Sequence, residues 1–164
     1  MQSRLKKGFI AGFVATLVVS VVDFAADLIE RMVGGEWFHS FATLSAAMAG
    51  QIFGSGANQI WVGWLIHFLA GTFLLGGLFA VLAPKLPTDT AATKGILFAV
   101  GAWVVMGLTV MPLSGLGIFG LAAGFGTMAW MLVIHVIFGV VLARTFARQH
   151  GDTGHLKRHL PIAE

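Results

Sequence analysis

The chain contains no cysteine and no tyrosine, only four prolines, and little charge of either sign. Without cysteine there are no disulfides, no thiolate metal sites and no thiol nucleophile. Charged side chains make up 10% of the 164 residues, against roughly 25% in ordinary globular domains, while 57% are hydrophobic. A water-soluble fold of this length cannot hide so much apolar surface, whereas a bilayer accepts it. The net charge of +3 would point to nucleic acid only if the basic residues formed a soluble patch. They stand instead at the ends of hydrophobic runs, so they read as topology signals and no nucleic-acid partner is expected.

What is present is four apolar segments, at about 8–28, 60–83, 95–111 and 125–143. Each approaches the ~20 residues that a helix needs to cross the hydrocarbon core. Backbone groups in lipid must be satisfied internally, and the period-2 alternation of a barrel is missing, so the segments are predicted to be helices. The expected fold is all-α: a four-helix transmembrane bundle over residues 1–148, followed by a mobile cytoplasmic tail over 149–164. Arg4, Lys6 and Lys7 before the first segment give it the look of a signal peptide. Its apolar run continues into Asp23 and Asp27 without a small-residue cleavage site, which predicts an uncleaved helix.

Lysine and arginine set the expected orientation. Arg4, Lys6, Lys7, Lys85, Lys94, Arg144, Arg148, Lys157 and Arg158 all fall on one side of the four spans, and only Arg31 falls on the other. The positive-inside rule then places both termini in the cytoplasm of a bacterial inner membrane. Trp37, Trp61, Trp64 and Trp130 collect near the opposite interface, where amphipathic rings prefer to sit. The outer stretch from Val33 to Asn58 is apolar enough for a short helix that lies at the interface or re-enters it.

The halves of the chain look alike. Lys7-Gly8 opens the first span and Lys94-Gly95 the third; the second carries Ile66-His67 followed by Gly71, the fourth Ile134-His135 followed by Gly139. Two helical hairpins repeated in parallel would be related by an axis along the membrane normal. That axis would put His67 and His135 at one depth, both facing inward as polar residues in membranes do.

These two histidines are the strongest chemical signal. The glycine four residues after each lies on the same helical face and leaves room for a flat group or for close helix approach. Two imidazoles facing each other across a bundle are the axial-ligand arrangement of a b-type haem; the same pair could hold a metal ion, pass protons, or act as hydrogen-bonding glue between helices. Asp23, Asp27 and Glu30 share one face of the first span, and Arg31 is placed to pair with Asp27. Such carboxylates could orient a histidine or start a proton path; the plainer expectation has Asp27, Glu30 and Arg31 solvated at the interface and only Asp23 buried. Gly8, Gly12, Gly71 and Gly139 read as helix-packing glycines. Met111-Pro112 predicts the end of the third helix, with Met111 as packing. Gly115-x-Gly117-x-x-Gly120 matches a dinucleotide fingerprint by letters only, since no strand precedes it. His150, His155 and His159 belong to a basic tail suited to anionic lipid. Ser20 and Ser45 have no evident partners, and no nucleophile–base pair or phosphate loop stands out, so enzymatic activity is not expected.

Trp64-Leu65-Ile66-His67, Phe79-Ala80, Pro84-Lys85-Leu86-Pro87, Lys94-Gly95, Met111-Pro112-Leu113 and the His135 helix together resemble a family of small bacterial inner-membrane proteins of unknown function, loosely akin to YagU. The resemblance covers about residues 60–145 and implies a four-span inner-membrane protein. YagU is linked to acid resistance, which implies a proton-linked role; this chain is shorter and has a different outer loop. The leading expectation is an accessory or homo-oligomeric component of a membrane complex, in contact with lipid and without its own catalysis, whose His67/His135 pair is structural or proton-responsive. Bis-histidine b-haem electron transfer and a small proton- or ion-linked transporter are the alternatives.

Overall fold

The computed structural model describes residues 2–35 and 37–150, and its elements are all helical. The predicted tail therefore lies, beyond Gln149 and His150, outside the described residues, and with it His155, Lys157, Arg158 and His159. The first span is α1 (Gln2–Val33). A short helix α2 (Phe41–Phe53) follows in the first loop. The second span is α3 (Ile60–Leu69), a π-helical segment (Ala70–Leu75) and α4 (Gly76–Leu82). The third is α5 (Ala91–Leu108) with α6 (Val110–Leu113), and the fourth is α7 (Phe125–Arg148). All four are long and apolar enough to cross a membrane, so the chain is a multi-pass membrane protein.

The helices run further than their apolar cores. α1 keeps its charged turns at both ends, because a helix continues for as long as its backbone bonds are satisfied, whatever the side chains face. The third span ends at Leu113, beside Pro112, and carries in addition an interruption at Thr109 (φ −125°, ψ −70°). Proline lacks the N–H that would bond to the carbonyl four residues back, and its ring crowds that carbonyl, which here belongs to Leu108. The interruption thus appears one turn before the proline that causes it.

α1 packs along the second span and along α7, and α7 packs along α5. The order around the bundle is second span, α1, α7, α5. Close approach comes from glycine, as expected. A Cβ at Gly12 would lie 2.7 Å from the carbonyl oxygens of both Gly71 and Thr72, and one at Gly8 would collide with Gly76 and Ala80. Two successive carbonyls facing Gly12 fit the widened π turn at Ala70–Leu75. In the other hairpin Gly95 and Gly139 face each other so closely that a Cβ on either would strike the other's carbonyl. Ala11, Ala15, Phe79, Ile134, Leu142 and Phe146 fill the common core. At the end that carries the termini, Lys94 is buried and its Nζ donates to the Ala83 carbonyl (2.8 Å), a cation at the C-terminus of α4.

The short helix α2 does not lie flat across the bundle. Gly63 of α3 accepts the Ala42 carbonyl and the Ala46 methyl against its bare Cα, so α2 and α3 pack as a tight pair. The ring of Phe41, the first residue of α2, packs against the His67 ring, seven residues into α3. At 1.5 Å per residue that is roughly 10 Å below the end of the span. The start of α2 thus lies level with the interior of the second span.

Candidate functional site

The second span and α5 meet through Phe79 and Phe98 (centroids 5.2 Å apart) near the terminal end and otherwise stand apart. Between them lies a chamber of about 740 Å³. α1 and α7 form its back wall through Val19, His135 and Phe138, and α2 roofs it with Phe41, Leu44, Ser45 and Met48. At its rim stand Leu74, Leu78, Leu97 and Val105, all exposed on the outer, apolar face of the bundle. The chamber thus opens sideways, toward where lipid lies. Its size and its apolar wall with few polar groups are those of a small-molecule site.

Both predicted histidines reach it, and each is held by a different bond. His135 is buried, and its Nδ1 donates to the Met131 carbonyl at 2.7 Å. A carbonyl can only accept, so in the neutral ring Nε2 carries the lone pair. His67 is half-buried, and its Nε2 lies 3.0 Å from Ser20 Oγ. Ser20 has a single proton, and its Oγ also lies 2.7 Å from the Thr16 carbonyl, which can only accept; with the proton on that shorter bond, Ser20 accepts from His67 and the lone pair of this ring is on Nδ1. The ring of Phe41 packs against both imidazoles, with centroids 5.2 Å from each. Trp64 and Phe68 meet the edges of His67.

The carboxylates serve segment 37–41 and not the histidines. Asp23 is buried and accepts from Trp130 Nε1 (2.9 Å) and from the Phe41 amide (3.2 Å), at the N-terminus of α2 where an anion is favoured. Glu30, expected to be solvated, is buried: its Oε1 accepts from the amides of Trp37 and Phe38. The His39 amide donates to Thr127 Oγ1 (3.2 Å), and Ser40 caps α2 by accepting from the Thr43 amide. Segment 37–41 runs from the N-terminal end of α7 toward His67, and its N–H groups find protein partners, the two acids among them. Asp27 pairs with exposed Arg31 at 2.9 Å, so Glu30 is the acid that departs from expectation.

Of the predicted site residues, the structure gathers His67 and His135 at the chamber and places Asp23 above them as a strut. Asp27 is remote from it. Gly71 lines the chamber and also packs on Thr16, while Gly8, Gly12 and Gly139 are pure helix contacts. Three residues were not visible from the sequence as site members. Ser20, read as partnerless, holds His67. Ser45, read likewise, is buried on the chamber wall with no hydrogen-bond partner among the described residues. Phe41 packs on both rings. The signal that could have found Ser20 is its position on α1 four residues after Thr16 and three before Asp23, on the inward face. Met111 is packing, in a cluster with Leu44 and Met131. His150 Nδ1 donates to the Phe146 carbonyl at the far end.

A b-type haem does not fit this arrangement. A macrocycle coordinated by both rings would have to displace Phe41 from against each of them, and the Nε2 of His67 already donates to Ser20. Among the described residues no three His, Asp or Glu side chains converge to hold a metal ion.

The chain belongs to DUF6789, a family of unknown function whose pattern matches residues 2–157. That match takes in α1 as well as the stretch on which the likeness to YagU rested, and it is to this family that the chain is assigned. No curated protein and no solved structure matches it.

Proposed function

We propose that this protein binds, without catalysing its conversion, an amphiphile that enters the chamber sideways from the bilayer and is held by its polar end at His67, His135 and Ser45. The observation that carries this reading is the combination of an apolar chamber, a mouth on the lipid-facing side and a small polar set at its inner wall. Thr109 also lines the chamber, but its hydroxyl is committed to the Val105 carbonyl (2.6 Å). A proton path through the carboxylates draws no support from this geometry, since Asp23 faces Trp130 and the Phe41 amide. The protein would sit in a bacterial cytoplasmic membrane with its termini inside, by the distribution of lysine and arginine. It would work there as a homo-oligomer or as an accessory part of a larger complex, presenting bound ligand or sensing it.

Photolabelling in native membranes tests this. A diazirine-bearing prenyl amphiphile is expected to label the rim at Leu74, Leu78, Leu97 or Val105, and Gly101→Leu, which fills the chamber wall, is expected to reduce labelling several-fold. Labelling spread evenly over the exposed apolar residues, and indifferent to Gly101→Leu, would overturn the reading.

A further inference from the structure

The hydrogen-bond directions in the chamber say what kind of polar end it takes. We infer that the ligand is a prenylated hydroquinone, recognised in its reduced, hydrogen-donating form; this rests on the chamber reading above.

The bonds that the two imidazoles make to the protein favour complementary tautomers. In His135 the Met131 carbonyl holds the proton on Nδ1, which leaves Nε2 as an acceptor. In His67 the proton is on Nε2 when Ser20 gives its own to the Thr16 carbonyl, the shorter of its two contacts, which leaves Nδ1 as an acceptor. Neither remaining nitrogen has a partner among the described residues, and both rings line the chamber. The neutral rings therefore bring two acceptors to an apolar site. The only uncommitted hydroxyl on its wall belongs to Ser45, which can donate or accept.

A ligand ending in carbonyl oxygens would set lone pairs against lone pairs at both rings and find one donor, Ser45. An alcohol would satisfy one nitrogen and leave the other bare. A ring with two hydroxyls donates to both. The aromatic surroundings agree with a flat ring: Phe41 packs on both imidazoles, with Trp64 and Phe68 beside His67. The volume takes such a ring and the first isoprene units, and the rest of a tail would leave past Leu74 and Leu78 into lipid. No electron transfer is implied; the chamber discriminates the reduced from the oxidised form by binding alone.

The test is competition against the diazirine probe on the full-length protein in nanodiscs, under anaerobic conditions. A short-tailed prenyl hydroquinone, the matching benzoquinone and a prenyl alcohol of equal length are compared. The hydroquinone is expected to displace half the label at about one-tenth the concentration that the benzoquinone needs, the difference of one or two unmade hydrogen bonds. His135→Leu should bring the two within about threefold. Ser20→Ala, checked for an unchanged thermal unfolding temperature, should do so as well, because His67 is then free to move its proton to Nδ1 and donate. Equal competition by hydroquinone and benzoquinone, or a preference that survives both substitutions, overturns this inference and leaves the chamber reading standing. Failure of all three competitors to displace the label overturns both.

Discussion

Two seams join the hairpins of this bundle, and they have opposite character. Along the first, α1 lies against α7. Small residues Ala11 and Ala15 pack into it with Ile134 and Leu142, Asp23 bonds to Trp130 across it, and Gln149 Nε2 donates to the Lys7 carbonyl at its end (3.1 Å). Along the second, between the second span and α5, the Phe79–Phe98 pair meets near the terminal end and a chamber lies between the helices. An axis that exchanged the hairpins would map one seam onto the other. The molecule departs from that exchange where the histidines lie, and the π-helical segment Ala70–Leu75 is on the open side. Widened turns of this kind are frequent at functional sites. The difference teaches where the chain has invested packing and where it has withheld it.

The openness of the second seam is tested most sharply against the closed α5–α7 contact within one hairpin, with one substitution made twice. Gly139→Leu would drive a side chain into the Gly95 carbonyl, with an expected loss of about 3 kcal/mol or more, read as the collapse of thermal unfolding temperature or of monodisperse protein in detergent. The same leucine at Gly101, where a Cβ would meet nothing within 4 Å, should leave stability within about 0.5 kcal/mol of the parent. If both variants unfold alike, the second seam is not open.

Asp23→Ala removes the acceptor that ties α1 to α7 and to the first amide of α2. It leaves Trp130 Nε1 and the Phe41 N–H without a partner, at an expected cost of about 2–3 kcal/mol and with a shift in Trp130 fluorescence. Glu30→Ala should follow at about 1–2 kcal/mol, with faster hydrogen exchange at Trp37 and Phe38. Arg31→Ala is the smallest effect, under about 0.5 kcal/mol in the same unfolding measurement, because its pair with Asp27 is an exposed contact four residues apart on one helix. An Arg31 effect as large as that of Asp23 would contradict the division between strut and surface pair.

Much of the scaffold is legible in the sequence, because lipid imposes a simple rule. Long apolar runs become spans, glycines four apart become contacts, and histidines inside such runs face the bundle. The site is less legible. Glu30 at the edge of a span reads the same whether it faces water or the amides of a dipping loop; only the path of residues 37–41 decides between them. Ser20 bonds to a histidine 47 positions away, and no local period encodes that. The chamber is an absence of contact between two apolar helices whose sequences give no sign that they stand apart. Pro112 marks the end of the third span, while the interruption at Thr109, beside the carbonyl that the proline crowds, has no sign of its own in the sequence.

The anchoring of segment 37–41 also dictates when the molecule can be finished. Its amide partners come from α1 at Asp23 and Glu30, and from α7 at Thr127, while Trp130 of α7 completes the bonding of Asp23. Chains are made from the N-terminus, so α2 emerges long before the helix that fixes its entry. A nascent chain arrested after residue 124 should leave segment 37–41 open to added protease, and synthesis through residue 148 should close it. The last helix to be translated is thus the keystone of the first loop.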